Sequence, residues 1–265
     1  VIAEGGYQLE GNFKKNFSVD NNTSKEIIFP LIADATSSQS YGNTTYIING
    51  NLSTETMTLS TYGATDGWAG HRATKAWYGL FGSSPAALQA TTDTRAKLFF
   101  TTNHNWEMND YKEWKDGYPS IKFTNKNTDG TGNVTSFAST DFPLFRLSDV
   151  YLMYAECALK NAAGANLGQA LIYVNQIRSR AQATPINASQ LTLDFLLDER
   201  ARELNLEGVR RQDLIRFGRF TGGSYLWPWK GGLKNGASVS ANYNLFPIPT
   251  TALQANTNLT QNPGY

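Results

Sequence analysis

The stretch Leu191–Phe220, LTLDFLLDERARELNLEGVRRQDLIRFGRF, combines a helical apolar period with a dense set of opposite charges. Leu193, Leu197, Ala201 and Leu204 recur at spacings of four, four and three, a stripe that a helix turns toward a core. Thr192 precedes it as the expected N-cap, and Asp194 stands in the first turn, where free amides favour a carboxylate. Gly208 provides a turn, and Val209, Leu214, Ile215 and Phe217 supply a second, shorter helix. A helical hairpin with its two helices packed together is the expectation.

Between these apolar positions lie Glu199, Arg200, Arg202, Glu203, Glu207, Arg210, Arg211, Asp213 and Arg216. Asp198–Arg202 and Glu207–Arg211 have the i,i+4 spacing of exposed helix pairs, each adding about 0.2–0.5 kcal/mol. The carboxylates nearly neutralise the arginines, so no basic face is left for phosphates. A formal net charge of +1 likewise gives no electrostatic reason to bind nucleic acid or anionic lipid.

Residues 142–181 carry the same period twice. Leu147, Val150, Tyr151, Tyr154, Ala155 and Ala158 mark one helix face, ended by Asn161 and Gly164. Asn166 and Gln169 are spaced as a capping box, and Ala170, Leu171, Val174, Ile177 and Ala181 continue until Pro185. Upstream, Ile27, Ile28 and Phe29 form a short apolar run, read as a brief strand stopped by Pro30. Residues 52–140 lack a sustained period and read as loops with short helices, and residues 223–265 read as an irregular segment clipped to the core.

A hydrophobic content of 40% suffices for a sizeable core. Only 17% of residues are charged, and 27 Thr, 24 Asn and 23 Gly leave a polar surface that is largely uncharged, suited to neutral, hydroxyl-rich ligands outside the cytoplasm. The lone Cys157 excludes an internal disulfide framework and is expected half-buried in its helix. No apolar run of about 18 residues spans a membrane, and no signal peptide is present. The opening VIAEGGYQL reads as a helix tail entering a turn, as though the chain began inside a longer protein.

Catalytic motifs are absent. There is no GxGxxG, GxxxxGK[ST] or GxSxG, and His71 and His104 belong to no zinc-ligand pattern, so neither cofactor nor metal is expected. Asp110 and Glu113 beside Trp106 and Trp114 can be drawn as a glycosidase pair, but any chain with 22 acidic residues offers such pairs. The chain is therefore read as a non-enzyme. The positive signal is aromatic: Trp68, Trp77, Tyr78, Trp106, Tyr111, Trp114 and Tyr118 crowd a loop-rich region, and flat rings stack on the apolar faces of sugars. Trp77, Trp106 and Tyr111 are the leading ligand-binding candidates, followed by Trp68 and Arg72; Trp227 and Trp229 read as packing.

Three strings in order, FRLSDVYLMYAECAL, DERARELNLEGVRRQDLIRFG and LFPIPTTALQANTNLTQNPGY, resemble the C-terminal part of the SusD/RagB family. WAGHRAT (Trp68–Thr74), DTRAKLFF (Asp93–Phe100) and DGYPSIKFTN (Asp116–Asn125) are similar to family passages too, which gives Trp68 and Arg72 a competing structural role. The resemblance implies a mainly α fold of tetratricopeptide-like hairpins with long irregular loops and a few short strands. In it, residues 1–140 form the loop-rich middle region, 141–222 a pair of helical hairpins, and 223–265 an irregular segment packed on the helices. Together they make one continuous domain whose N-terminal half is missing. It also implies a lipid-anchored binding protein at the outer-membrane surface, its anchor absent from this chain, serving a SusC-type TonB-dependent transporter. The ligand would be a glycan, with an oligopeptide as the alternative and a ligand-free interaction scaffold as a third reading.

Overall fold

The periods become helices at the expected places. In chain order the main elements are β1 (Ile27–Leu31), α1 (Asn43–Gly50), α2 (Lys75–Tyr78), α3 (Pro85–Ala90), β2 (Phe142–Arg146), α4 (Leu147–Leu159), α5 (Leu167–Arg180), α6 (Leu193–Glu203), α7 (Arg210–Arg216) and α8 (Thr250–Ala255). The computed structural model describes all 265 residues. They form two compact units, Val1–Val209 and Arg210–Tyr265, so the boundary falls inside the stretch expected to be a single hairpin.

In the first unit α4 packs on α5 and on α6. Small buried residues, Ala155 and Ala158 on α4 and Ala170 on α5, allow close approach, while Leu152, Val174 and Ile177 fill the seam. Asn161 and Gly164 end α4 in left-handed conformation as expected. Asn166 accepts from Gln169 N–H, but its own N–H is taken by the Tyr154 hydroxyl, so only half of the expected capping box forms. Thr192 caps α6 through Phe195 N–H. Leu193 is exposed and Leu196 is buried in its place, a rotation that brings Glu199, Arg200 and Glu203 inward with Leu197 and Ala201. Cys157 faces solvent, since Leu152, Ala155 and Ala158 already fill the inward face.

Pro30 does not stop the strand. β1 runs through it and pairs antiparallel with β2, with Pro30 opposite Pro143 and register shifts on either side of Phe29. Neither proline can donate a ladder bond, and a two-stranded sheet, all of whose strands are edges, tolerates this.

Residues 52–140 are irregular, as expected, but enclose two aromatic cores. One gathers Phe13, Phe17, Ile48, Leu52, Trp114 and Phe123; the other gathers Tyr78, Phe81, Leu88, Phe99 and Tyr118. Gly63 shows how closely this region is fitted: its φ is +76°, and a Cβ there would lie 2.2 Å from Asn125 O.

The charges of α6 depart most from expectation. Arg146 is 1% exposed, and its guanidinium reaches Glu26 Oε1 at 2.7 Å, Glu203 Oε1 at 2.7 Å and Glu207 Oε2 at 2.6 Å. Arg180 bonds Glu26 and Glu203, and Arg95 meets Asp93 and Glu203. Arg95 Nη1 also lies 2.9 Å from Glu199 Oε1, in ionic contact but out of line for a hydrogen bond. Buried Lys122 donates to Glu207 and to the carbonyls of Glu203 and Asn205. The rings of Phe13 and Phe17 cover this cluster, with Lys122 Nζ 4.2 Å from the Phe17 centroid and the Arg180 guanidinium 4.8 Å from Phe13. The expected surface pair at Glu207 is replaced, because both of its carboxylate oxygens point inward to Lys122 and Arg146.

In the second unit the Arg211 guanidinium sits 4.0 Å over Phe246 and 5.0 Å over Phe220. Buried Lys230 donates to Gly222 O and Tyr225 O. The two ends of the C-terminal motif, LFPIP and QNPGY, clip each other. Gln261 exchanges hydrogen bonds with the Ile248 backbone, Asn262 donates to Phe246 O, and the Tyr265 hydroxyl donates to Leu245 O. No helix is long and apolar enough to cross a membrane.

Two predictions follow from the buried charges. Glu203→Gln leaves Arg95, Arg146 and Arg180 facing one another with their shared anion removed, and urea unfolding should show a loss of about 3–5 kcal/mol. The second concerns acid. Burial pushes the Glu199 carboxyl up, but the Arg95, Arg202 and Arg178 guanidiniums more than reverse this, to about 2. Glu203 is likewise raised by burial and carried well below its ordinary range by Arg180, Arg146 and Arg95. Depressed carboxyls stabilise the fold fully above the unfolded value of about 4.3 and lose that contribution as pH falls toward the folded value. The urea midpoint should be flat above about pH 5 and decline between roughly 4.5 and 2.

Candidate functional site

The site grows from the end of α1. Thr44, Thr45 and Ile48 bury one face of this helix, which leaves Tyr46 outward and 52% exposed. The terminal carbonyls of a helix lack internal partners, and here the loop 66–72 supplies them. Trp68 N–H bonds Asn49 O at 2.8 Å, Gly70 and His71 N–H bond Gly50 O at 2.9 and 2.6 Å, and Ala69 N–H bonds Leu52 O at 2.9 Å. Ala69 adopts a φ of 52° to make this turn.

The result is a cluster of rings at the surface. Trp68 lies 6.2 Å from Tyr41 and 6.2 Å from Tyr46, tilted by 55° and 53°. Tyr41 is 69% exposed and rests on Phe137 at 5.0 Å, and His71 meets Tyr46 edge-on at 4.7 Å. Trp68 Nε1 donates to Asp66 Oδ2 at 2.8 Å, which fixes the indole edge. Burial and the Arg72 charge hold the His71 pKa below the usual histidine range, so its imidazole is neutral at pH 7. Rings of this kind, open to solvent and fixed in orientation, can stack on a flat apolar ligand face.

The other candidate residues lie elsewhere in the packing. Trp77 is half-buried, its Nε1 donates to Ala201 O at 2.9 Å, and its ring meets Phe99 at 5.1 Å and 90°. Trp106 is half-buried edge-on to Tyr78 at 4.7 Å. Tyr111 is 56% exposed, with Lys112 Nζ 5.8 Å from its ring. Arg72 is a tie between loops: Nη2 donates to Tyr111 O and Glu113 O, Nη1 to Ala69 O and Gly70 O, and Nε to Asp116 O. With every N–H direction directed to backbone and its guanidinium 5.5 Å over Trp114, Arg72 has no donor left for a ligand. Asp110 and Glu113 are exposed and accept from Lys112 N–H and Lys115 N–H of their own turns.

Of the residues singled out in the sequence, only Trp68 joins this cluster, where its half-buried ring lies beside the more exposed Tyr41 and Tyr46. Tyr41, Tyr46, Phe137 and His71 were missed, because they come from three separated segments that meet on α1, one through the capping of its last carbonyls and one through Thr44 and Thr45. The spacing of Tyr46 and Gly50, one helical turn apart and followed by a loop containing Trp and His, is the one local trace they leave.

Comparison with known proteins identifies the fold and the family. Solved structures share the fold over nearly the whole chain. They include surface glycan-binding protein A from Bacteroides thetaiotaomicron in complex with laminarihexaose, with a TM-score of 0.71 and 24% identity over 98% of this chain and 57% of that one. A SusD superfamily protein from Bacteroides vulgatus gives a TM-score of 0.66 and 24% identity over 100% of this chain and 52% of that one. The starch-binding protein SusD of Bacteroides thetaiotaomicron is 33% identical over 100% of this chain and 54% of its own length. The chain thus spans about half the length of these relatives. The SusD_RagB profile, that of the SusD family, matches residues 101–265. On the profile match, the shared fold and the ordered C-terminal motifs, this chain belongs to the SusD family.

Proposed function

We propose that this chain is part of a non-catalytic nutrient-binding protein that captures a glycan on the platform formed by Trp68, Tyr41 and Tyr46. The carrying observation is two tyrosine rings, each more than half exposed, tilted around one indole beside a neutral histidine. A relative named for starch binding and a fold neighbour in complex with laminarihexaose support a neutral glucan as ligand. Capture would take place at the outer-membrane surface of a lipid-anchored protein, with delivery to a SusC-type TonB-dependent transporter. The sparsely charged, Thr- and Asn-rich composition favours hydroxyl-rich ligands over oligopeptides, which present charged termini.

Calorimetry against maltoheptaose, laminarihexaose and a peptide pool tests the reading. Saturable binding of a glucan should weaken about tenfold or more in Trp68→Ala, each factor of ten being about 1.4 kcal/mol. Saturation by peptides alone would transfer the site to oligopeptide uptake, and silence toward all three would favour a protein-interaction scaffold. Trp77→Phe removes the hydrogen bond to Ala201 O; it should lower stability by about 1 kcal/mol and leave glucan affinity unchanged.

A further inference from the structure

Stacked rings hold a sugar but do not distinguish one pattern of hydroxyls from another, because a π face offers no directional donor or acceptor. Discrimination needs a polar group at the platform edge. Trp68 Nε1 is taken by Asp66, and the donors of Arg72 all go to backbone carbonyls. His71 differs from both. It is half-buried and held edge-on to Tyr46 at 68°, yet neither ring nitrogen bonds to the protein and neither is sealed from solvent.

Its position is built by α1. Tyr46 and Gly50 are four residues apart and therefore share a helix face. The missing side chain at Gly50 leaves a notch for the imidazole, since a Cβ there would lie 2.4 Å from His71 Nδ1. The His71 N–H bond to Gly50 O at 2.6 Å fixes the backbone over the same residue.

We infer that His71 is the polar reader of the platform, accepting from one sugar hydroxyl at one ring nitrogen and donating to another at the second while Trp68 and Tyr46 stack on the sugar. This rests on the glycan-platform reading. A neutral imidazole has one donor and one acceptor, and protonation removes the acceptor. The charged groups flanking it on its own loop are Arg72 and Asp66, while α1 carries no titratable side chain but Tyr46.

The test is calorimetry of the full chain with laminarihexaose and maltoheptaose at pH 7.5 and at descending pH. His71→Phe keeps a ring against Tyr46 and removes both nitrogens, and Gly50→Ala displaces an unaltered imidazole. Both should weaken binding at pH 7.5, His71→Phe by about fivefold or more, the scale of two net hydrogen bonds. Wild-type affinity should fall as pH is lowered through the titration of the imidazole, and that of His71→Phe should not. Should Gly50→Ala fail to fold, His71→Phe alone decides. Wild-type affinity in His71→Phe, with binding lost in Trp68→Ala, would overturn the role of His71 and leave the platform standing. A weakened His71→Phe that keeps the full pH dependence would overturn it as well. Undiminished binding in Trp68→Ala, or no binding of either sugar by the wild type, would remove the platform itself and the inference with it.

Discussion

Arg146 sits at the junction of β2 and α4 with almost no water to solvate it, so its charge must be met by carboxylates brought from elsewhere in the chain. Glu26 comes from the turn before β1, Glu203 from the last turn of α6, and Glu207 from the segment that follows. An uncompensated charge in that interior costs several kcal/mol, so no partial assembly of these pieces is comfortable. The cluster therefore favours one register of the two strands and one rotation of α6 over the alternatives. Its contribution is to uniqueness more than to net stability, since desolvation offsets much of the attraction between buried ions.

The same cluster organises the loops. Lys122 and Arg95 both belong to the irregular middle region, and each is drawn into the ionic interior, Lys122 through Glu207 and Arg95 through Glu203. Aromatic cores then fill the space beneath the loops, so a stretch with few regular elements keeps a defined backbone. The outward rings inherit that order. Trp68 and His71 are positioned because their loop amides satisfy the last carbonyls of α1, a backbone constraint that does not depend on which side chains the loop carries. A binding surface can thus vary on a support that remains constant.

Much of the helical architecture was legible because its causes are local. The stripes of α4, α5 and α6, the Thr192 cap and the left-handed stop at Asn161 each depend on residues within a turn or two. The charges of α6 were misread for the same reason. An i,i+4 pattern shows which residues share a face, and it carries no information about whether that face meets water or another helix. Leu193 and Leu196 exchanged places on this account, and Glu199 and Glu203 went inside with Leu196. Pro30 was taken as a strand terminator because its cost is set by the neighbouring strand, which is distant in sequence.

The sequence by itself determined the helices, the loop-rich character of residues 52–140, the absence of nucleotide-binding and hydrolase motifs, and the family, through motifs whose order and spacing are one-dimensional. The tertiary structure decided which aromatics face water. Trp77 and Trp106 pack on the core, Arg72 ties backbone segments together, and the half-buried Trp68 lies beside the exposed Tyr41 and Tyr46. Tryptophan gains from burial and from stacking on a ligand by the same apolar surface, so composition cannot separate the two uses. Only the position of the rest of the chain, set here by the carbonyls of α1 and the buried carboxylates, tells which face is left uncovered.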